Sequence, residues 1–144
     1  MVTFEEEKFK LEFKDKSSTN INKKLKEEVQ SSDAFLILFS ITQQATFKEV
    51  SKFYDLIQTC NSNSKKPIIL VGTKCDLEDE RVVSKSVAIS LSESWGIQYL
   101  ETSAKIRVNV DEVFTEIIRE IKTHQLTLEI ESKLNCKASC CHIF

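Results

Sequence analysis

The sequence predicts an α/β fold, a doubly wound and mostly parallel sheet. Three observations predict it. Short apolar runs at 34–40, 68–71 and 97–100 have the length of strands buried on one or both faces. Segments with apolar residues at helical spacing separate them. No internal repeat and no second core interrupts the alternation, and 144 residues suffice for one domain rather than two.

The elements follow in order. Residues 8–14 read as a strand, with Phe9, Leu11 and Phe13 on one face and Lys8, Lys10, Glu12 and Lys14 on the other. Val2–Phe4 reads as an earlier strand, joined through a turn at Glu5–Glu7. Ser17-Ser18-Thr19-Asn20 is a loop with several N-cap candidates, followed by an amphipathic segment with Ile21, Leu25 and Val29 at helical spacing. Ala34–Ser40 is a continuous apolar run, predicted to be a strand buried on both faces. Thr46 and Glu49 have capping-box spacing and open a helix with the stripe Phe47, Val50, Tyr54 and Ile57.

Pro67 closes a polar loop over 61–66, and Ile68–Val71 is a second buried strand ended by Gly72. Residues 84–95 form a helix with Val87, Leu91 and Trp95 on one face and Gly96 as its C-cap. Ile97–Leu100 is the next strand. Asn109 and Glu112 make an Asn capping box for the longest helix, with the stripe Val110, Phe114, Ile117 and Ile121. Strong periodicity ends near Leu126.

Composition narrows the function. A formal charge of -2 supplies no basic excess for phosphate backbones, which excludes a general nucleic-acid binder. Gly72 and Gly96 are the two glycines of the sequence. A G-x-x-x-x-G-K-[ST] phosphate loop needs two glycines close together, so this sequence does not contain one; G-x-G-x-x-G is excluded likewise. Five cysteines without a secretory signal in MVTFEEEKFK point to reduced thiols and a cytoplasmic setting. Cys136, Cys140, Cys141 and His142 are four zinc-ligand types, but their crowding within seven residues suits one tetrahedral site poorly.

Parallel sheets bind ligands beyond the C-terminal ends of their strands. The loop after Val71 offers the Asp76 carboxylate beside the Lys74 stem. A carboxylate accepts two parallel N–H bonds, and guanine presents such a pair on its N1 and 2-amino edge, whereas adenine does not. A lysine stem can lie along a flat base while its ammonium stays in water. The loop after Leu100 offers backbone N–H groups on the small residues Ser103 and Ala104, which can approach a ring oxygen.

These two loops, Thr73-Lys74-Cys75-Asp76 and Glu101-Thr102-Ser103-Ala104-Lys105, resemble the guanine-specificity motifs of Ras-like small GTPases, and the helix and strand between them match as well. The line from Ser32 to Val50 resembles the family's central strand and following helix, and Cys-His-Ile-Phe resembles its prenylation box. The resemblance implies GTP/GDP binding, a Mg²⁺ ion, GTP hydrolysis, and signalling through protein effectors or regulators. It implies that Asp76 accepts the guanine N1 and 2-amino hydrogens and that Lys74 covers the base. Ala104 would donate its N–H to the guanine O6, braced by Ser103 and Lys105. Thr73 stands where most members carry Asn. Asp15 falls where an acidic residue orients Mg²⁺, but Ser18 and Thr19 replace the glycine and the water-positioning Gln that follow it in the family.

The same resemblance divides the chain into a truncated Ras-like G domain at 1–125 and a flexible tail with the box at 126–144. The sheet is then an incomplete small-GTPase (P-loop NTPase) sheet, lacking its first strand, phosphate loop and first helix. That first strand belongs between the strands matching Phe9–Phe13 and Ala34–Phe39. Its loss predicts two open edges, direct pairing of these strands, or a strand borrowed from a partner. Contacts to the base alone suggest an affinity near ~1 mM. An interaction module without turnover, or a truncated product, is therefore the alternative to a working GTPase. Phe144 favours geranylgeranylation of Cys141. One lipid anchors only marginally, and Cys140 and Cys136 are palmitoylation candidates for attachment to the cytoplasmic face of the plasma membrane.

Overall fold

The computed structural model describes residues 21–131 throughout and, outside them, the strand backbones at 2–4, 7–9, 13–15 and 141–143. In chain order these are β1 (Val2–Phe4), β2 (Glu7–Phe9), β3 (Phe13–Asp15), α1 (Lys23–Ser31), β4 (Ala34–Ser40), α2 (Gln44–Cys60), β5 (Ile68–Thr73), α3 (Lys85–Trp95), β6 (Gln98–Glu101), α4 (Val110–Glu131) and β7 (Cys141–Ile143). A 3-10 turn at Glu78–Glu80 lies between β5 and α3. The main sheet runs β3-β7-β4-β5-β6 and every pair in it is parallel. The predicted α/β parallel architecture is present.

Alternation along the strands divides the core in two. Phe35, Ile37 and Phe39 of β4, with Ile68 and Leu70 of β5, pack with Leu25 and Val29 of α1, Val50, Leu56 and Ile57 of α2, and Ala88 of α3. Ala34 and Leu36, with Ile69 and Val71, pack on the other face against Val113, Ile117, Ile118 and Ile121 of α4. Burying a side chain of this size stabilises by roughly 1.5–3 kcal/mol. Leu38 departs from the expectation of a strand buried on both faces: it is 36% exposed. Its face carries α4 alone among the described helices, whereas three helices cover the opposite face.

Several local expectations are corrected. The single strand over 8–14 is two strands: β2 turns back antiparallel onto β1, while β3 joins the parallel sheet. Each thereby finds partners for its backbone in a different sheet. Ile21 precedes α1 and is exposed, and the cap is Asn22, whose Oδ1 accepts from Leu25 N–H at 2.8 Å. Helix α2 starts two residues before Thr46, whose hydroxyl instead donates to Gln43 O at 2.7 Å and accepts from Ser40 N–H at 2.9 Å. Asn109 sits at φ 54°, and its side-chain amide donates to Glu101 O at 2.9 Å rather than capping α4. On α3 the buried residues are Ala88 and Ser92, and Val87 is exposed. Gly96 does cap α3, at φ 66°. Trp95 stacks on Tyr54 with 4.0 Å between ring centroids.

The expected boundary at 125/126 falls inside α4, which continues to Glu131. Its last turns meet no core: Leu126, Leu128 and Ile130 are exposed, which is why no stripe is visible there. The gap beside β4 is neither an open edge nor a direct pairing. The chain's own Cys141–Ile143 fills it.

Asp33 leads into β4 with Oδ2 buried and without a hydrogen-bond partner among the described residues. Burial pushes its carboxyl up to about 6, against the pull of the Lys66 ammonium. The folded chain thus holds this proton more tightly than the unfolded chain does. The resulting stability is present below the unfolded value of 3.8 and is lost as pH rises through 6. Asp33→Asn should remove that slope and stabilise the chain at pH 7 by about 1 kcal/mol, after allowing for solvent screening. Urea unfolding of both proteins between pH 4 and 7 measures it.

Candidate functional site

The loops after β5 and β6 are stitched together at the C-terminal edge of the sheet. Thr102 N–H donates to Gly72 O at 2.8 Å, and Cys75 N–H donates to Thr102 O at 3.0 Å. Thr73 Oγ1 donates to Phe39 O at 3.0 Å, tying the first loop to β4. Lys74 follows in the left-handed region at φ 63°. An L residue there costs roughly 1–2 kcal/mol, and the cross-loop bonds hold it in place. The second loop is closed by a two-way bridge between Ser103 and Val108, with N···O distances of 3.0 and 2.9 Å. Ala104 and Lys105 lie at its exposed tip.

Ser103 is fully buried, and its hydroxyl donates to Asp76 Oδ1 at 2.6 Å. The Ser103 oxygen accepts from Ile106 N–H at 3.3 Å. Asp76 therefore has one oxygen held from behind, while Oδ2 accepts no hydrogen bond among the described residues. A cavity of about 580 Å³ opens in front of it. Thr73, Lys74, Asp76, Ala104 and Lys105 line it, so five of the six predicted base-site residues share one cavity and the sixth, Ser103, orients Asp76. Apart from Thr102 the remaining walls are apolar: Leu36, Leu38 and Val71 of the sheet, Leu77, and Val110, Val113 and Phe114 of α4.

Asp15 ends β3, in register with Ile143. Cys141 lies in β7, and Cys136 and Cys140 fall outside the described residues. Among the described residues no cluster of three His, Cys, Asp or Glu side chains could hold a metal ion, and no helix is long and apolar enough to cross a membrane.

Behind the site lies a polar network that the sequence reading missed. Arg81 grips Glu101 through both guanidinium nitrogens, at 2.9 and 2.8 Å, and also pairs with Glu78. Tyr99 donates to Glu101 Oε1 at 2.7 Å. Burial pushes the Glu101 carboxyl up, but the hydrogen bonds from Arg81 and Tyr99 outweigh it and hold the group below its ordinary value. Glu101 immediately precedes the second loop, so this network sets where that loop leaves the sheet. Its one sequence signal is Arg81 standing directly after Glu78-Asp79-Glu80. The network also explains Gly72: a Cβ there would lie 2.5 Å from the Tyr99 hydroxyl.

A family model described as "Ras family" matches residues 1–123. The chain belongs to the Ras family. It is 44% identical over 99 residues to the "Ras-related protein O-RAL" of Diplobatis ommata, covering 68% of this chain and 48% of that protein. Over 121 residues it is 39% identical to the "Ras-related protein ralB-A" of Xenopus laevis, covering 78% of this chain and 59% of that one. A "Ras-like protein" of Laccaria bicolor is 37% identical over 110 residues, covering 76% of this chain and 53% of that one. The chain thus spans about half the length of these curated relatives.

The Arg81 and Glu101 side chains are 14% and 12% exposed. Arg81→Ala, which strips a largely buried carboxylate of its partner, should destabilise by about 2 kcal/mol, between the values for surface and buried pairs. Gly72→Ala should cost a further about 1–3 kcal/mol by overpacking, because the Tyr99 hydroxyl is held by Glu101. Chemical denaturation of the two variants against the parent measures both, and an unchanged midpoint contradicts the account.

Proposed function

We propose that the chain recognises guanine nucleotides through the cavity between the two loops and is carried to a membrane by lipid on its C-terminal box. One observation supports the first part: Asp76, Lys74 and Ala104 converge on one cavity, with Asp76 oriented from behind by buried Ser103. In this reading the Asp76 carboxylate accepts the guanine N1 and 2-amino hydrogens. The Lys74 stem covers the face of the base, the Ala104 N–H meets O6, and Lys105 flanks the loop. Thr73 lines the same cavity, and its hydroxyl donates to Phe39 O, so it also acts as a strut for the loop. Membership of the Ras family supports GTP and GDP as the nucleotides and protein effectors or regulators as partners.

The residues fit the base better than the phosphates. Beyond Thr73, Lys74, Asp76, Thr102 and Lys105 the cavity wall is apolar, and among the described residues no three His, Cys, Asp or Glu side chains cluster to hold a metal ion. No hydrolytic step is therefore assigned to the described residues. The apolar wall favours, as a second reading, an interaction module that holds guanine without turning the nucleotide over. For the anchor, the supporting feature is Cys-His-Ile-Phe with Cys140 and Cys136 nearby, giving a geranylgeranyl group at Cys141 and a second lipid at a neighbouring thiol on the cytoplasmic face of the plasma membrane.

Titration of the 144-residue chain with fluorescent GDP and ATP analogues, with and without Mg²⁺, tests the base site. Base contacts alone should give guanine-selective binding near ~1 mM. Asp76→Ala should weaken the GDP analogue by about 10- to 100-fold or more, the loss of a single charge-assisted hydrogen bond setting that scale, and leave the ATP analogue unchanged. Equal binding of both analogues by the parent, or no effect of Asp76→Ala, overturns the assignment. An unmodified C-terminal peptide in cells, read by mass spectrometry, overturns the anchor.

A further inference from the structure

Strand β7 sits out of chain order. The neighbours β4, β5 and β6 follow one another along the chain, whereas β7 comes from the far side of α4 and enters between β3 and β4. Its three residues carry two ladders at once. Cys141 faces Phe13 and Ala34, His142 faces Lys14 and Phe35, and Ile143 faces Asp15 and Leu36. Among the described residues β3 has no other ladder partner, so its attachment to the sheet runs through β7. On the other side β7 meets only Ala34–Leu36 of a strand that continues to Ser40.

We propose that the channel between β3 and β4 is a strand-accepting site, and that its ligand is the chain's own segment Cys141–Ile143, docked in cis and reversibly. The chemistry is that of strand addition: backbone N–H and C=O groups on both walls recognise an extended peptide largely without regard to side chain. Reversibility follows from the length of the strand, three residues against the seven of β4. Docking in cis follows from the tether. From Glu131 to Cys141 the chain advances ten residues, which reach roughly 35 Å when extended, and a link of that length holds the segment near the channel at an effective concentration on the order of millimolar. Any enzyme that must hold Cys141–Phe144 as a free extended end competes with β3 and β4 for the same backbone. The proposal does not depend on the nucleotide reading.

Hydrogen exchange of the 144-residue chain, followed by mass spectrometry, tests it. Segments 13–15, 34–36 and 141–143 should be protected together, with 141–143 exchanging at least about 10-fold more slowly than an unfolded chain. Ile143→Pro cannot sit in an interior strand, so it should release 13–15 together with 141–143 while 68–73 and 98–101 keep their protection. A synthetic peptide of residues 137–144, added in excess, should restore protection at 13–15. If Ile143→Pro unfolds the whole chain, the same peptide must restore 68–73 as well, and its failure to do so overturns the proposal. Exchange of 141–143 at the unfolded rate while 68–73 stays protected overturns it too, as does unchanged protection of 13–15 in Ile143→Pro. Protection at 141–143 that appears only with dimer formation on light scattering overturns docking in cis.

Discussion

The parallel ladder between β4 and β5 carries the rest of the molecule. Six register pairs, from Phe35–Ile68 to Ser40–Thr73, bind two strands whose side chains alternate between two apolar cores. Parallel strands all end at the same edge, so the loops after β5 and β6 emerge side by side whatever their sequences. The bonds from Thr102 to Gly72 and from Cys75 to Thr102 extend that alignment past the ends of the strands. Only then does the Ser103 hydroxyl come within reach of Asp76 across 27 residues of sequence. A loss of register between β5 and β6 would reach the proposed base site before it reached the core.

The parts of this plan with long-range consequences were the most legible. Apolar runs marked β4 and β5 because a strand covered by helices on both sides has almost no polar option. The two loops were legible because a carboxylate beside a lysine, paired with small residues one helix and one strand later, is a chemical constellation that turn propensity alone does not require. Helix starts were less legible. Thr46 and Asn109 have the spacing of capping boxes, but each side chain found a nearer carbonyl, at Gln43 and Glu101. Ser, Thr, Asn and Asp side chains offer several such competing bonds, and tertiary position selects among them. The Arg81–Glu101–Tyr99 network left only the Arg81 beside Glu78-Asp79-Glu80 to read, because its members lie up to 20 residues apart and join only once β6 pairs with β5.

Leu38 shows the limit of pattern reading from the other side. Its run is uniformly apolar, and nothing local distinguishes it from Leu36, yet Leu36 is 2% exposed and Leu38 36%. The difference is the position of α4, which covers the N-terminal half of β4 and leaves the C-terminal half to the cavity. That half of the cavity is lined by hydrocarbon and suits the face of a base or the side chain of a partner. It does not suit a triphosphate, whose charge requires oriented N–H groups or a cation. The site is thus polar at one end and greasy at the other, and its two ends favour different ligands.

The C-terminal strand brings a comparable conflict into the backbone. An interior strand must satisfy both neighbours, and the channel beside β4 recognises main chain, not sequence. The segment that fills it here also carries the box that resembles a prenylation signal. Those two uses exclude one another at any instant, because a ladder and an enzyme cleft need the same extended backbone. Their balance is set by how firmly three residues hold on two sides. In that proposal, substitutions that remove a ladder N–H far from the cysteine, such as proline in Phe13–Asp15 or Ala34–Leu36, act on the availability of Cys141 without touching the box itself.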